Sequence, residues 1–480
     1  MAANNNSQAP APGVASSSPG QAEGLQRRLS ARQLTMIAIG GAIGVGLFLG
    51  SSVTIELAGP GVIITYLLGA AVALVMAYAL AEMAVTHPVA GSFGVYAEIY
   101  LSRWAGFTIR ATYGLVQIIA IGAEVTAVAI YFAFWFPNVP AWSWVLIVST
   151  ALVTINALQV SNFGEFEYWF ALIKVVAIIA FIGVGLSLIT GLGPWPAVGL
   201  ANLTQHGGFL PHGWRGVWLA LTLAITSYMG VEVIAVTAGE AHNPEESIPR
   251  AMRTIVFRLI IFYMLAISVM LAMTPWNHAG SANISGSPFV RAFETAGIPF
   301  AASIMNLVVI SAALSSANTN LYLSTRMLFS LARGQYAPAW LGRLSRNGVP
   351  HRALGISTLG MIAAILLAIL APKNAFLLLY GTAVAGMFFV WIVILITHLR
   401  FRQRLGPEAV AKLPLKLPAH PLPTVAGIAA LAAIACSTFW VEGLQYTVPT
   451  FLPLLLVMSL VYVVRRRTSV EPVWDRKTKR

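Results

Sequence analysis

The chain has 480 residues, 58% of them apolar types and only 9% charged. A water-soluble domain carries about 25% charged residues, so this composition excludes a soluble globular protein and makes a bilayer the solvent that fits. The formal net charge of +13 does not point to nucleic acid, because the basic residues are scattered through short segments between apolar runs.

Residues 1–24 are rich in Ala, Asn, Ser, Pro and Gly and contain no apolar signal-peptide core. They read as a disordered cytoplasmic tail. A spanning helix needs about 20 apolar residues. The pattern predicts twelve such spans, at 33–57, 61–86, 108–135, 141–160, 166–191, 216–239, 254–275, 300–331, 353–371, 375–399, 423–440 and 447–465. Residues 25–467 thus form one transmembrane domain, and 468–480 a second cytoplasmic tail. Orientation follows from Lys and Arg. With the N-terminus inside, the outside loops hold only Arg215, Arg291 and Lys373, and Lys174 lies within a span. All other basic residues fall on the cytoplasmic side. An even number of spans places both termini there, in a cell inner membrane. No hydrophilic segment is long enough for a soluble catalytic domain; the longest, about 400–423, is short, basic and Pro-rich.

Span 1 carries Gly40, Gly41, Gly44 and Gly46 within seven positions. Each glycine weakens a helix by roughly 1 kcal/mol. Unwound backbone survives at membrane depth only where protein or a cavity satisfies it. A break here exposes amide N–H groups at the start of the following half-helix, a place that favours an anion such as a carboxylate. Close helix packing through small residues is the competing reading. A nucleotide fingerprint is excluded by spacing and by the lack of a preceding strand. Span 6 reads Thr226-Ser227-Tyr228-Met229-Gly230-Val231-Glu232, a second candidate break. Interrupted segments at matching positions of two five-span halves are a pointer to a transporter binding site. The inverted repeat is inferred from these paired breaks, since no residue-level identity links the halves.

Glu82, Glu124, Lys174, Glu232 and Glu240 are the ionisable residues singled out within spans, and each is a functional hypothesis. Lys174 has apolar neighbours on every side. It is either a snorkelling lysine or a desolvated one that loads and releases a proton. Glu124 and Glu232 are candidates for a substrate ammonium or a proton relay; Glu240, and more so Glu82, also read as structural partners near the cytoplasmic ends. In span 8, Ser315 and Asn318 are candidate contacts, or hydroxyl and amide groups bonded back to their own helix. The single cysteine, Cys436, excludes a disulfide framework or a multi-cysteine metal site. The eight histidines fall mostly in loops and form no HExxH pair, so no metal and no cofactor are expected.

Several motifs resemble the amino acid permeases of the amino acid–polyamine–organocation (APC) superfamily, and most of all its bacterial amino acid transporter branch. They are Gly41 to Phe48, Leu57-Ala58-Gly59-Pro60, Glu82-Met83-Ala84 and Pro88 to Phe93. Further on come Gly164 to Phe170 with Lys174, Gly239-Glu240-Ala241 through Asn243-Pro244 to Ala251, Arg326 to Phe329, and His398 to Arg402. The resemblance runs from about residue 25 to 467. It implies an all-α leucine-transporter-like fold, a 5+5 inverted repeat plus two C-terminal helices, with helices 1 and 6 broken. It implies a substrate held between those breaks by Ala42, Ile43, Gly44, Val45 and Gly46 on one side and Thr226, Tyr228, Met229, Gly230 and Glu232 on the other, with Glu124 nearby. The N–H groups of Val45 and Gly46 would hold the carboxylate. The carbonyls of Ala42, Thr226 and Met229 would receive the ammonium. Lys174 matches the lysine that replaces a sodium ion in proton-coupled members. Relatives often carry an aromatic where this chain has Thr226, so Tyr228 is the candidate to supply a missing aromatic gate.

The function expected is secondary transport of an amino acid by proton symport, with neutral apolar or aromatic substrates favoured. Exchange, or transport of a cationic amino acid, are alternatives within the same fold. A membrane-embedded enzyme lacks a catalytic constellation, and a substrate sensor would need an output domain. The partners expected are an amino acid, a proton and the lipid bilayer, and no nucleic acid.

Overall fold

The computed structural model describes residues 50–89, 91–158, 160–192, 196–237, 244–278, 299–345, 348–370, 375–442 and 444–466, with Met36, Ile43, Gly44, Leu47, Glu294 and Gly297 between them. Both predicted tails, and Ala42, Val45, Gly46 and Glu240, lie outside the described residues. Every described element is helical. Span 1 passes a bend at Ile43–Gly44 and ends in α1 (Gly50–Ala58). A single turn, Gly59–Gly61, joins it to α2 (Val62–Thr86), which is span 2. Next come α3 (Ser92–Tyr100), α4 (Arg103–Phe132, span 3), α5 (Ala141–Leu158, span 4) and α6 (Val160–Thr190, span 5). Span 6 is divided into α7 (Gly213–Ala224) and α8 (Val233–Thr237). Span 7 is α9 (Pro244–Met273) and span 8 is α10 (Ala301–Arg333). Span 9 consists of α11 (His351–Ser357) and α12 (Leu359–Leu370). Then follow α13 (Ala375–Leu405, span 10), a short α14 (Pro407–Ala411), α15 (Leu422–Ser437, span 11) and α16 (Thr447–Arg466, span 12).

Among the described residues eight stretches are long and apolar enough to cross a membrane, the first joining α1 and α2. Shorter apolar helices, Ala141–Ala157 and Ile260–Met273, serve spans 4 and 7. The boundaries differ from expectation where capping and length intervene. Span 3 starts before residue 108 because Ser102 caps it, its hydroxyl accepting from the Ala105 amide at 3.1 Å. Span 10 runs on to Leu405, so the basic residues expected in a loop sit on its last turns. His398 is correspondingly a fully buried helix residue and not a loop residue. Helix α3 lies between the predicted spans 2 and 3, where no element is expected from the sequence.

Burial separates centre from periphery. In spans 3, 8 and 10, 72% of the most apolar stretch is buried, against 22% in span 12. Leu456, Leu460 and Val464 of span 12 recur at helical spacing and are well exposed, a face suited to lipid. Small residues let the central helices approach. A Cβ on Gly360 of span 9 would lie 1.7 Å from the carbonyl oxygen of Ile118 in span 3, so only glycine fits that crossing.

The packing repeats between the two halves. Spans 1 and 6, 2 and 7, 3 and 8, and 4 and 9 pack on one another. Span 5 packs on span 8, as span 10 packs on span 3. Span 7 meets span 5 as span 2 meets span 10, and span 4 meets span 8 as span 9 meets span 3. Exchanging each span with the one five positions later leaves these contacts unchanged. Five is odd, so the second half starts on the opposite face of the membrane, and the repeat is inverted. Spans 11 and 12 add to this core, packing on span 10.

Candidate functional site

The site begins with the failure of span 6 to remain a helix. Helix α7 gives way to a tighter turn at Ile225–Tyr228, Met229 is extended (ψ 135°), and Gly230 adopts φ +113° before α8 resumes. A side chain at position 230 would oppose that backbone, which glycine tolerates. The interrupted backbone is satisfied by neighbours. The Tyr263 hydroxyl of span 7 donates to Ser227 O at 2.7 Å. The Gly230 amide donates to Oε2 of Glu232 at 3.0 Å. Glu232 also accepts from Trp391 Nε1 (3.3 Å) and Tyr113 OH (3.3 Å). It is therefore a buried strut that ties the broken segment to spans 10 and 3.

Opposite lies the bend of span 1. Lys174 of span 5 is fully buried, and its ammonium donates to Ile43 O and to Ser315 Oγ of span 8, each at 2.8 Å. This geometry answers the snorkelling alternative: the ammonium points to a backbone carbonyl of span 1 and not to the membrane surface. Ser315 in turn donates to Oε1 of Glu167, a fully buried carboxylate one face of α6 carries beside Lys174. Asn318 Nδ2 reaches Oε2 of Glu167 at 3.3 Å, and its own Oδ1 accepts from Asn156 Nδ2 at 2.7 Å.

Between the two breaks is a cavity of about 100 Å³. Gly44, Glu124, Thr226, Met229, Gly230, Glu232 and Ser316 line it, together with Val116, Gln117, Asn320, Leu323, Tyr380 and Met387. Glu124 of span 3 is the group that stands out. Its Oε1 accepts from Ser316 Oγ at 2.8 Å, while Oε2 is buried with no hydrogen-bond partner. A Cβ on Gly44 would lie 3.1 Å from Ser316 Oγ and 3.3 Å from Glu124 Oε1, so the bend of span 1 rests directly on this pair. An unpaired carboxylate oxygen out of water costs several kcal/mol unless a donor arrives. Among the described residues the cavity wall contains no lysine, arginine or histidine.

The structure thus gathers Gly44, Glu124, Thr226, Met229, Gly230 and Glu232 at one cavity, with Ile43 behind it at Lys174. Ser315 and Asn318 stand apart, in the Lys174–Glu167 network, and Ser316 is the serine of span 8 that reaches the wall. Tyr228 also does not line the cavity. Its hydroxyl donates to Tyr66 O at 2.8 Å, and its ring packs edge-on against Tyr66 and Tyr263. The aromatic beside Thr226 comes instead from span 10, where the Tyr380 hydroxyl meets Thr226 Oγ1 at 2.8 Å. Sequence reasoning missed Tyr380, Gln117, Asn320 and Glu167. For Glu167 a signal existed: it precedes Lys174 by seven residues, two helical turns, on the same face. Glu82, read as a structural partner, is one. It accepts from Arg402 Nε (2.7 Å) and Nη2 (2.6 Å), His398 Nε2 (2.9 Å) and the Leu417 amide (2.5 Å), joining spans 2 and 10 to the following loop. No grouping of three metal-ligating side chains occurs among the described residues.

A family model described as amino acid permease matches residues 33–469. The uncharacterized amino acid permease YtnA of Bacillus subtilis is 42% identical over 416 residues, 86% of this chain and 89% of the relative. The gamma-aminobutyric acid permease of Bacillus subtilis is 39% identical over 448 residues, 93% of this chain and 95% of its own. The aromatic amino acid transport protein AroP of Escherichia coli is 36% identical over 448 residues, 93% and 97% of the two chains.

Proposed function

Because the chain belongs to the amino acid permease family, we propose that it carries a neutral amino acid across the cytoplasmic membrane by proton symport. The observation that carries this reading is Glu124, which lines the cavity between the two helix breaks and whose Oε2 is buried without a partner. One free carboxylate oxygen suits one ammonium group. Glu232 faces the same cavity but is already held by three donors. A second cationic group on the substrate has no equivalent acceptor, which favours neutral over basic amino acids. An acidic side chain meets no cation among the described residues of the wall and pays a desolvation cost of several kcal/mol. The relatives' names include gamma-aminobutyric acid and aromatic amino acids, so kinship leaves the choice to the cavity. Val116, Leu323, Met229 and Met387 form its apolar part and suit an apolar or aromatic side chain, with Tyr380 closing over it.

The carboxylate is assigned to the amides of Val45 and Gly46, beyond the bend at Ile43–Gly44. Lys174 is assigned to coupling. Its ammonium holds Ile43 O in the bend, and loss of its proton turns that charge-assisted bond into a weaker neutral one, so protonation and the shape of the substrate site are linked. Both termini are placed in the cytoplasm, on the side of the basic loops. Uptake into proteoliposomes tests the reading. Accumulation is expected under an inward proton gradient without sodium, with neutral amino acids as the strongest competitors, and Lys174→Ala should abolish accumulation in protein that still inserts. Strict sodium dependence would refute the coupling, and glutamate or aspartate as the best competitor would refute the pocket.

A further inference from the structure

The Lys174–Ser315–Glu167 network carries an inference that rests on the proton-symport reading and extends it. We propose that Glu167 is a second proton-binding site, through which the proton carried by Lys174 leaves toward the cytoplasm by way of the Ser315 hydroxyl.

Geometry supplies the connection. Ser315 Oγ accepts from Lys174 Nζ at 2.8 Å and donates to Glu167 Oε1. A hydroxyl that accepts on one side and donates on the other moves a proton without moving itself. The Lys174 N–H bond breaks as an O–H bond forms at Ser315; the original Ser315 O–H bond breaks as one forms at Glu167 Oε1. Ammonium and carboxylate become amine and carboxylic acid, and the serine is restored. Two buried charges are thereby neutralised together, which suits a place where isolated ions are costly.

Direction follows from position. The backbone of Glu167 lies seven residues before that of Lys174, about 10 Å nearer the start of span 5 at the helical rise of 1.5 Å per residue, while the two side chains converge on Ser315. With the N-terminus inside, that start is cytoplasmic. Glu165, two residues closer to it, is exposed. On the far side of Lys174, Ile43 O leads back to the transport site. Lys174 is the charged group that acts on Glu167. Among the described residues the elements packed against it present neutral groups: Ser315, Asn318 and Thr319 of span 8, with Asn156 of span 4 behind Asn318. The Asn318 amide holds the second carboxylate oxygen in place, itself held by Asn156, so Oε1 is the atom that receives the proton.

A merely structural counter-ion for Lys174 would occupy the same place, and the two roles separate by assay. In proteoliposomes, gradient-driven accumulation requires net proton passage, whereas substrate counterflow requires only binding and movement. Glu167→Gln should lose accumulation while counterflow persists, Glu167→Asp should regain accumulation, and Ser315→Ala should show the same split as Glu167→Gln. Thermal melts of each purified variant identify any that fail through folding, and Glu167→Asp and Ser315→Ala keep the question open to decision if Glu167→Gln does so. Accumulation by Glu167→Gln at the wild-type level, with wild-type uptake still proton-driven and abolished by Lys174→Ala, overturns this inference alone. Equal loss of accumulation and counterflow in both Glu167→Gln and Ser315→Ala also overturns it, in favour of the structural role. Wild-type uptake that ignores the proton gradient overturns the symport reading itself.

Discussion

Glu124→Gln isolates the group on which the substrate assignment depends. The substitution preserves size, and the new amide oxygen can still accept from Ser316 Oγ, which now lies 2.8 Å from Oε1. The change falls on Oε2, the buried atom with no partner, where an acceptor becomes an N–H donor. If that atom receives the substrate ammonium, the variant loses a charge-assisted hydrogen bond. Such a bond contributes about 1.5–3 kcal/mol net, equivalent to roughly 10- to 150-fold in affinity. The assay is equilibrium binding of the preferred amino acid to purified protein in nanodiscs, with the deaminated analogue measured in parallel. The amino acid should weaken by that factor, and the analogue, having no ammonium to lose, should be nearly unaffected. Equal weakening of both would mean that Glu124 shapes the cavity without touching the amine. An unchanged affinity for the amino acid would refute the assignment outright.

Three further outcomes follow from packing and titration. Gly360→Val should lower thermal stability and membrane yield sharply, since even a Cβ meets Ile118 O at 1.7 Å; wild-type melting would contradict the close crossing of spans 3 and 9. Arg402→Leu leaves the buried Glu82 carboxylate with His398 and the Leu417 amide alone and should destabilise the protein by about 3–5 kcal/mol in melts, the range for breaking a buried pair. Burial holds the His87 imidazole at the end of α2 below its ordinary value of 6.5. Its contribution to stability is therefore complete above pH 6.5 and lost as pH falls toward the depressed folded value; His87→Gln should flatten that acid limb of a stability-versus-pH curve, and an unaltered limb would show that His87 is not what titrates.

The spans were legible because lipid demands long apolar runs, and the break in span 6 because Gly230 sits where a helix would ask for another residue. Lys174 and Glu124 were legible for a related reason: a charge among apolar neighbours stands out in a linear string. What the string hides is direction. Tyr228 was expected at the cavity, two residues from Thr226, but the tight turn at Ile225–Tyr228 and the extended Met229 rotate the segment away from regular helical phase. Its ring then joins Tyr66 and Tyr263, and the cavity's aromatic arrives from Tyr380, 154 residues from its hydrogen-bond partner Thr226. Glu167 was concealed differently. It lies among Glu165, Tyr168 and Trp169 near a span end, where a carboxylate ordinarily reads as solvated. Only its seven-residue interval from Lys174 marked it, and that interval gains meaning once Ser315 is seen to stand between them. Buried ionisable residues such as Glu124 and Lys174 can thus be found one at a time from their cost of burial. The coupling role proposed for Lys174 and Glu167 rests instead on a chain of contacts across three spans, and each link taken alone resembles ordinary packing.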